Sequence, residues 1–313
     1  MSTTYFRHKR NLVLPIAFIG GAVFSNWMGY LTFLSPYLIF VMLFITYCKL
    51  SLKDIRPKKF DIQLLLIQFL LSGIAYVSLL FFNEEIALGV FICFFVPTAT
   101  AAPVITSMLG GSISRVVTYS LVCNIAVAAV GPIILAAIGD NEGMSFGRSF
   151  LLILSQVFPL LLGPMVCAFS LQKVWLRFHT AVANHQQLSF YIWAVSLFII
   201  VGSCVSFAIK TWTPQNTWIM VLLATGALIA CLVQFYIGRK IGRKYGDAVS
   251  GTQSLMQKNT VLAVWLAMAY MHPITSIAPA AYIAWQNIVN SWQLVRHDAI
   301  QDALNIEKKE RGV

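Results

Sequence analysis

Ten apolar segments, each near 20 residues, leave this chain few folds to choose from. They run near 11–26, 29–48, 62–82, 86–109, 114–139, 148–170, 188–210, 218–238, 247–271 and 273–295. About 20 residues of helix, rising about 1.5 Å each, cross a hydrocarbon core of about 30 Å. Inside that core every backbone amide and carbonyl must find a partner within the protein, so apolar segments of this length are helices. With 58% apolar and only 11% charged residues, the chain reads as an all-α polytopic membrane protein. The loops are too short for a separate soluble domain. The first two segments are almost continuous and too long for one crossing, so a break is expected at Asn26–Gly29.

The net charge of +11 would suggest nucleic acid if it lay on one soluble face. Instead it follows the loops. Nineteen of the 22 basic residues fall on one side of the expected membrane, in the N-terminus, the 49–59 loop, Arg115, Lys173/Arg177, 239–244 and the tail. The other side holds Arg148 and Lys210 with Glu84, Glu85, Asp140 and Glu142. By the positive-inside rule both termini are cytoplasmic in a multi-pass plasma membrane protein of bacterial inner-membrane type. The partners expected are the lipid bilayer and a small solute, and no nucleic acid. Arg7-His-Lys-Arg10 followed by an apolar run imitates a signal peptide, but no small-x-small cleavage site follows, so a retained first helix is expected. The six cysteines lie in apolar runs without metal spacing and read as packing residues. Trp27, Tyr30, Trp212 and Trp218 fall at segment ends, where an interfacial aromatic belt is expected.

Two segments are interrupted. In the fourth, Pro97 and Pro103 bracket Thr98 and Thr100. Each proline removes an amide donor and disfavours helix just before it, so the segment is expected to unwind between them. The ninth is polar over Ser250–Thr260 at comparable depth, ahead of the apolar run Val261–Met271. That run is roughly 16 Å of helix, about half of the hydrocarbon core. Lys258 therefore falls near mid-depth, the one basic residue inside an expected span, and all 11 acidic residues are assigned to loops or tails. Charges at that depth are costly and by default signal function. The bland alternative puts the start of span nine later and Lys258 at the cytoplasmic lip, its head in the headgroups.

Spans four and nine are the fourth members of two five-span halves, 11–139 and 148–295, flanked by a cytoplasmic N-terminus (1–10) and tail (296–313). An odd number of spans per half makes the halves run in opposite senses. Paired interrupted helices in such an inverted repeat point to a midplane transport site.

At this point the chain resembles the bile acid:sodium symporter family. Gln68-Phe69 matches the family's Gln-aromatic pair, Pro97 through Gly111 and then Pro132 follow its Pro…Gly…Pro layout, and Asn259 with Leu262-Ala263 matches its Gln-Asn-x-x-Leu-Ala signature. The resemblance implies ten helices in a five-plus-five inverted repeat with broken, crossed helices 4 and 9. It also implies a mobile core of spans 3–5 and 8–10 and a panel of spans 1, 2, 6 and 7. The implied function is secondary active transport of a small organic anion by alternating access.

The same resemblance marks a departure. Positions that hold sodium in coupled members fall on Ala102, Pro103, Val116, Ser120, Ser254, Gln68 and Lys258. Most oxygen ligands are gone, and an ammonium replaces one of them. At about 4 Å and an effective dielectric near 20, that ammonium repels a sodium ion by roughly 4 kcal/mol. Two-sodium coupling is therefore not expected. The candidate coupling residues are Gln68, Ser120, Asn124, Ser254, Gln257 and Lys258, with Na+ or H+ as the possible coupling ion and no cofactor. The candidate substrate residues are Thr98, Thr100, Pro103, Lys258, Asn259 and Thr260. Three roles stay open for Lys258: it replaces the ion structurally, holds a substrate anion, or carries a proton. A sodium-independent or proton-coupled carrier, and a non-transporting receptor with the same fold, stand as alternatives. No acid–base pair or His/Cys cluster at depth supports an enzyme.

Overall fold

The computed structural model describes residues 16–17, 19–48, 56–99, 101–139 and 145–310, and nearly all of them are helical. Five helical stretches among them are long and apolar enough to cross a membrane unaided: Ser25–Cys48, Lys59–Leu80, Ile113–Ile138, Phe146–Val174 and Thr217–Lys244. Shorter apolar helices, among them Thr260–Tyr270, lie between.

The first described span is a short helix α1 (Ser25–Met28), a 3-10 stretch (Gly29–Leu34) and α2 (Ser35–Cys48). The expected break at Asn26–Gly29 is not found there; a turn at Phe24 separates helical residues 19–23 from Ser25 instead. Gly29 keeps right-handed helical angles (φ −54°, ψ −37°) and the chain tightens into 3-10 geometry instead of breaking. The 3-10 form keeps each amide bonded three residues back, which satisfies the backbone without a loop. Next come α3 (Lys59–Leu80), α4 (Glu84–Phe95) and α5 (Ala102–Met108). Asn83 caps α4 by accepting from the Ile86 amide at 3.0 Å. Then follow α6 (Ile113–Ile138) and α7 (Phe146–Val174). A nine-residue helix α8 (Leu176–Asn184), not foreseen from hydropathy, leads into α9 (Gln186–Thr211).

The remaining elements are α10 (Thr217–Lys244), α11 (Ala248–Met256), α12 (Thr260–Tyr270), a 3-10 turn (Pro273–Ser276) and α13 (Ile277–Glu310). The last helix runs well past the expected span end at 295 into the tail.

Glycine sets the closest packing. A Cβ on Gly238 in α10 would sit 2.5 Å from the Gly251 carbonyl oxygen of α11, and Gly242 meets the same helix. Small residues four apart let two membrane helices approach backbone to backbone. This contact places α11 against α10 along much of its length, and α11 in turn touches α5 and α6. Helix α4 packs between α3, α10 and α13, with all ten residues Ile86–Phe95 buried. Both interrupted helices are thus enclosed by protein, the setting in which non-helical backbone at membrane depth is tolerated. Five cysteines are buried and unbridged as expected of packing residues, but Cys167 is exposed. The four predicted belt aromatics, Trp27, Tyr30, Trp212 and Trp218, are all more than half exposed.

Candidate functional site: the paired helix breaks

Helix α4 ends at Phe95 because Pro97 has no amide to offer the next turn. Helix α11 ends at Met256, and Asn259 starts α12 by accepting from the Leu262 amide at 3.2 Å. The two interruptions meet. Thr98 and Lys258 form an antiparallel bridge, with the Ala99 amide on the Gln257 carbonyl at 2.8 Å and the Asn259 amide on the Pro97 carbonyl at 2.8 Å. Each break therefore supplies backbone partners for the other, as the absence of water at depth demands.

The α4 end leaves carbonyls carrying the negative pole of the helix dipole, which favours a cation. Lys258 supplies one: its Nζ donates to the Val96 carbonyl at 3.1 Å. The side chain is 1% exposed. That burial overturns the reading that places Lys258 at a headgroup lip. Among the described residues no carboxylate lies in ion-pair range of it; the contact between His272 Nδ1 and Glu85 Oε1 at 3.3 Å joins the ends of α12 and α4.

Gln68 completes the same helix end. Its Nε2 donates to the carbonyls of Phe95 at 2.9 Å and Val96 at 3.2 Å. Its Oε1 accepts from the Tyr119 hydroxyl at 2.7 Å and from the Cys123 thiol at 3.5 Å. Val96 thus takes two donors, one from Lys258 and one from Gln68. The α11 end is served differently. Thr98 Oγ1 donates to the Ser254 carbonyl at 2.7 Å, and the Tyr282 hydroxyl to the Met256 carbonyl at 2.8 Å. One broken helix ends on a cation and an amide, the other on two hydroxyls.

The other candidates fall into groups around this pair. Ser120 reaches the Thr98 carbonyl at 3.4 Å, and Asn124 Nδ2 donates to the Ser120 carbonyl at 2.7 Å, leaving its buried Oδ1 without a partner. Ser254 Oγ, Asn259 Nδ2 and Thr260 Oγ1 are buried and unpartnered. Gln257 accepts from Asn290 Nδ2 at 2.7 Å while its own Nε2 has no partner. Pro103 is half-buried in the first turn of α5. Thr100 lies outside the described residues.

Sequence reasoning missed Tyr119, Tyr282, Gln253 and Asn290. The Lys258 amide donates to Gln286 Oε1 at 3.1 Å, and Asn290 accepts from Gln253 Nε2 at 3.3 Å. Gln286, Asn290 and Gln293 recur at helical spacing on α13 and are all buried. That spacing was the available signal, because a polar face on an apolar helix must point at protein. Among the described residues no group of three His, Cys, Asp or Glu side chains could hold a metal. The buried polar atoms without a partner around Lys258 are of both kinds: amide donors on Gln257, Asn259 and Gln286, and oxygens on Asn124, Gln253, Ser254 and Thr260.

Comparison with curated proteins returned no match. A family model does match, over residues 21–286, a stretch that runs from before α1 into α13 and takes in both helix breaks, Gln68 and Lys258. The bile acid:sodium symporter-like reading of the sequence is thereby shown, and the chain belongs to the SBF-like CPA transporter family.

Proposed function

We propose that the protein is a secondary active transporter of a small organic anion, working by alternating access without conventional two-sodium coupling. The observation that carries this reading is Lys258 Nζ on the Val96 carbonyl at the crossing of two broken helices. A tethered ammonium there neutralises the α4 carbonyls that a bound cation would otherwise face. In this reading ten spans form two inverted five-helix halves, spans 3–5 and 8–10 move against spans 1, 2, 6 and 7, and both termini face the cytoplasm of a bacterial cell. The unpartnered amide donors on Gln257, Asn259 and Gln286 offer an anion hydrogen bonds beside that ammonium. Membership of a transporter family speaks against an enzyme.

Uptake of candidate anions into proteoliposomes, with and without sodium and at several pH values, tests it for the parent protein and for Lys258→Gln and Lys258→Ala. The proposal expects sodium-independent uptake by the parent and its loss in Lys258→Ala. Parent-like uptake with unchanged pH dependence in both variants removes Lys258 from the mechanism. Binding of anions without flux in the parent assigns the chain to a receptor instead.

A further inference from the structure

A groove of about 340 Å³ lies between α3, α4 and α6, lined by Phe69, Gly73, Tyr76, Phe91, Phe95 and Ile134 among others. Its volume falls within the roughly 300–1,000 Å³ of small-ligand pockets. The aromatic wall is ordered: Phe91 and Phe95 stack at 5.0 Å, Phe69 tilts against Phe95 at 5.7 Å, and Tyr76 meets Phe91 edge-on at 6.0 Å. Gly73 opens it, for a Cβ there would meet nothing within 4 Å.

What covers this groove follows from where it opens. On α3 the lining residues Gly73 and Val77 are exposed, and so are their neighbours Leu70 and Ile74 on the same helix. These residues lie in the middle and far half of a helix long and apolar enough to span a membrane. The medium around them is hydrocarbon. One end of the groove approaches the α3–α4 turn, where Phe81 and Phe82 are almost fully exposed beside Glu84 and Glu85, a composition suited to the headgroup boundary. From Leu80 down to Phe69 is roughly 16 Å of helix, about the depth of one leaflet. We infer that the groove holds one acyl chain of a membrane phospholipid, running from the Phe81–Phe82 boundary down to the Phe95 ring.

The groove reaches the end of α4. Phe95 is the last residue of α4, and its carbonyl is held by Gln68. Ser72, at the inner end of the groove, donates to the Gln68 carbonyl at 2.6 Å. A seated chain therefore braces the helix end on which Lys258 rests. The assignment does not depend on what the protein carries.

The experiment uses the full chain in nanodiscs of phosphatidylglycerol bearing a photoactivatable diazirine at mid-chain, with cross-links mapped by mass spectrometry. Labelling is expected to concentrate on Phe69, Tyr76 and Ile134. Gly73→Leu fills the open space and should lower labelling at those positions by about tenfold, while Leu66 and Val221 on the general lipid face change little. Gly147→Leu, at another glycine with open space, should leave the pattern intact. Even labelling of all lipid-facing positions in the parent overturns the assignment, and so does a pattern that Gly73→Leu does not alter. Loss of the cross-links on adding a transported anion also overturns it, since the groove then belongs to the solute.

Discussion

Two donors on one carbonyl make a quantitative prediction. Val96 accepts from Lys258 Nζ at 3.1 Å and from Gln68 Nε2 at 3.2 Å. Lys258→Met keeps most of the buried volume and removes one donor, but Gln68 still serves the oxygen. The lost charge-assisted bond, worth about 1.5–3 kcal/mol, is offset by no longer burying an ammonium, a penalty of several kcal/mol. The stability change of that variant should lie near zero. Gln68→Leu strands the Phe95 carbonyl and the Tyr119 hydroxyl, each costing about 1–3 kcal/mol, while Lys258 still serves Val96. Only the double variant orphans the Val96 oxygen. Its loss should exceed the sum of the single losses by about 1–3 kcal/mol, the desolvation penalty of one buried carbonyl. Reversible unfolding in mixed micelles, titrated with a denaturing detergent, measures the cycle. Additivity within about 0.5 kcal/mol would refute the shared-acceptor geometry.

Three further outcomes are expected. Asp247 lies in the turn between α10 and α11, outside both helices, where it caps α11 and accepts from the amides of Ser250 at 2.9 Å and Ser112 at 3.0 Å. Asp247→Ala should therefore cost about 0.5–2 kcal/mol in the same unfolding assay. Partial burial pushes the Asp247 carboxyl up, but bonds from the Ser250 hydroxyl and amide, the Ser112 amide and the Arg115 charge outweigh it and hold the group below its ordinary value. The folded state then binds this proton more weakly than the unfolded state, so the stabilisation is complete above about 4 and fades as pH falls lower; a parent-minus-Asp247→Ala difference that grows on acidification would contradict this. Gly238→Ala drives a methyl into the Gly251 carbonyl and should destabilise by about 1–3 kcal/mol, read as a lower melting temperature. Lys258→Gln combined with Ser254→Glu supplies a carboxylate oxygen at a position that the family resemblance marks for sodium and removes the ammonium, so sodium should stimulate uptake by the double variant and not by the parent; equal sodium response in both would refute the substitution argument.

How legible this was in the sequence depends on the kind of force involved. The break in the fourth span was readable because Pro97 lacks a donor whatever surrounds it, and the helix indeed stops at Phe95 and resumes at Ala102. The burial of Lys258 was readable from the length of hydrocarbon that Val261–Met271 could not fill alone. The continuity of 25–48 was not, because hydropathy records only apolar length and a 3-10 stretch has no compositional mark. Helix α8 escaped for the opposite reason: nine residues with Arg177 and His179 among them look like a loop in any membrane-scale window. Hydrogen-bond partners were the least legible. Tyr119 and Tyr282 sit in apolar runs as ordinary aromatics, and only the fold shows that their hydroxyls serve Gln68 and the Met256 carbonyl. The Gln286–Asn290–Gln293 stripe was the exception, because its helical spacing is visible in the sequence.

A tethered cation and a bound ion differ in one respect that matters for a carrier. An ion that neutralises the α4 carbonyls must be captured from one side and released to the other, so its gradient enters the energetics of every cycle. Lys258 is delivered by the chain itself, through the backbone bridge to Thr98 and the Gln286 contact on its amide. Its charge lies at the crossing without any ion being taken up. On the function proposed above, the crossing is stable in the absence of sodium, and a sodium gradient has nothing to act on there. On that proposal net transport is driven through the solute itself or through a proton, and both register at the same ammonium: an anion by contact with it, a proton by leaving it. The two routes separate cleanly in the pH and sodium dependence of uptake, because only the second requires that removing the ammonium abolish the response to a proton gradient while leaving equilibrium exchange of the anion intact.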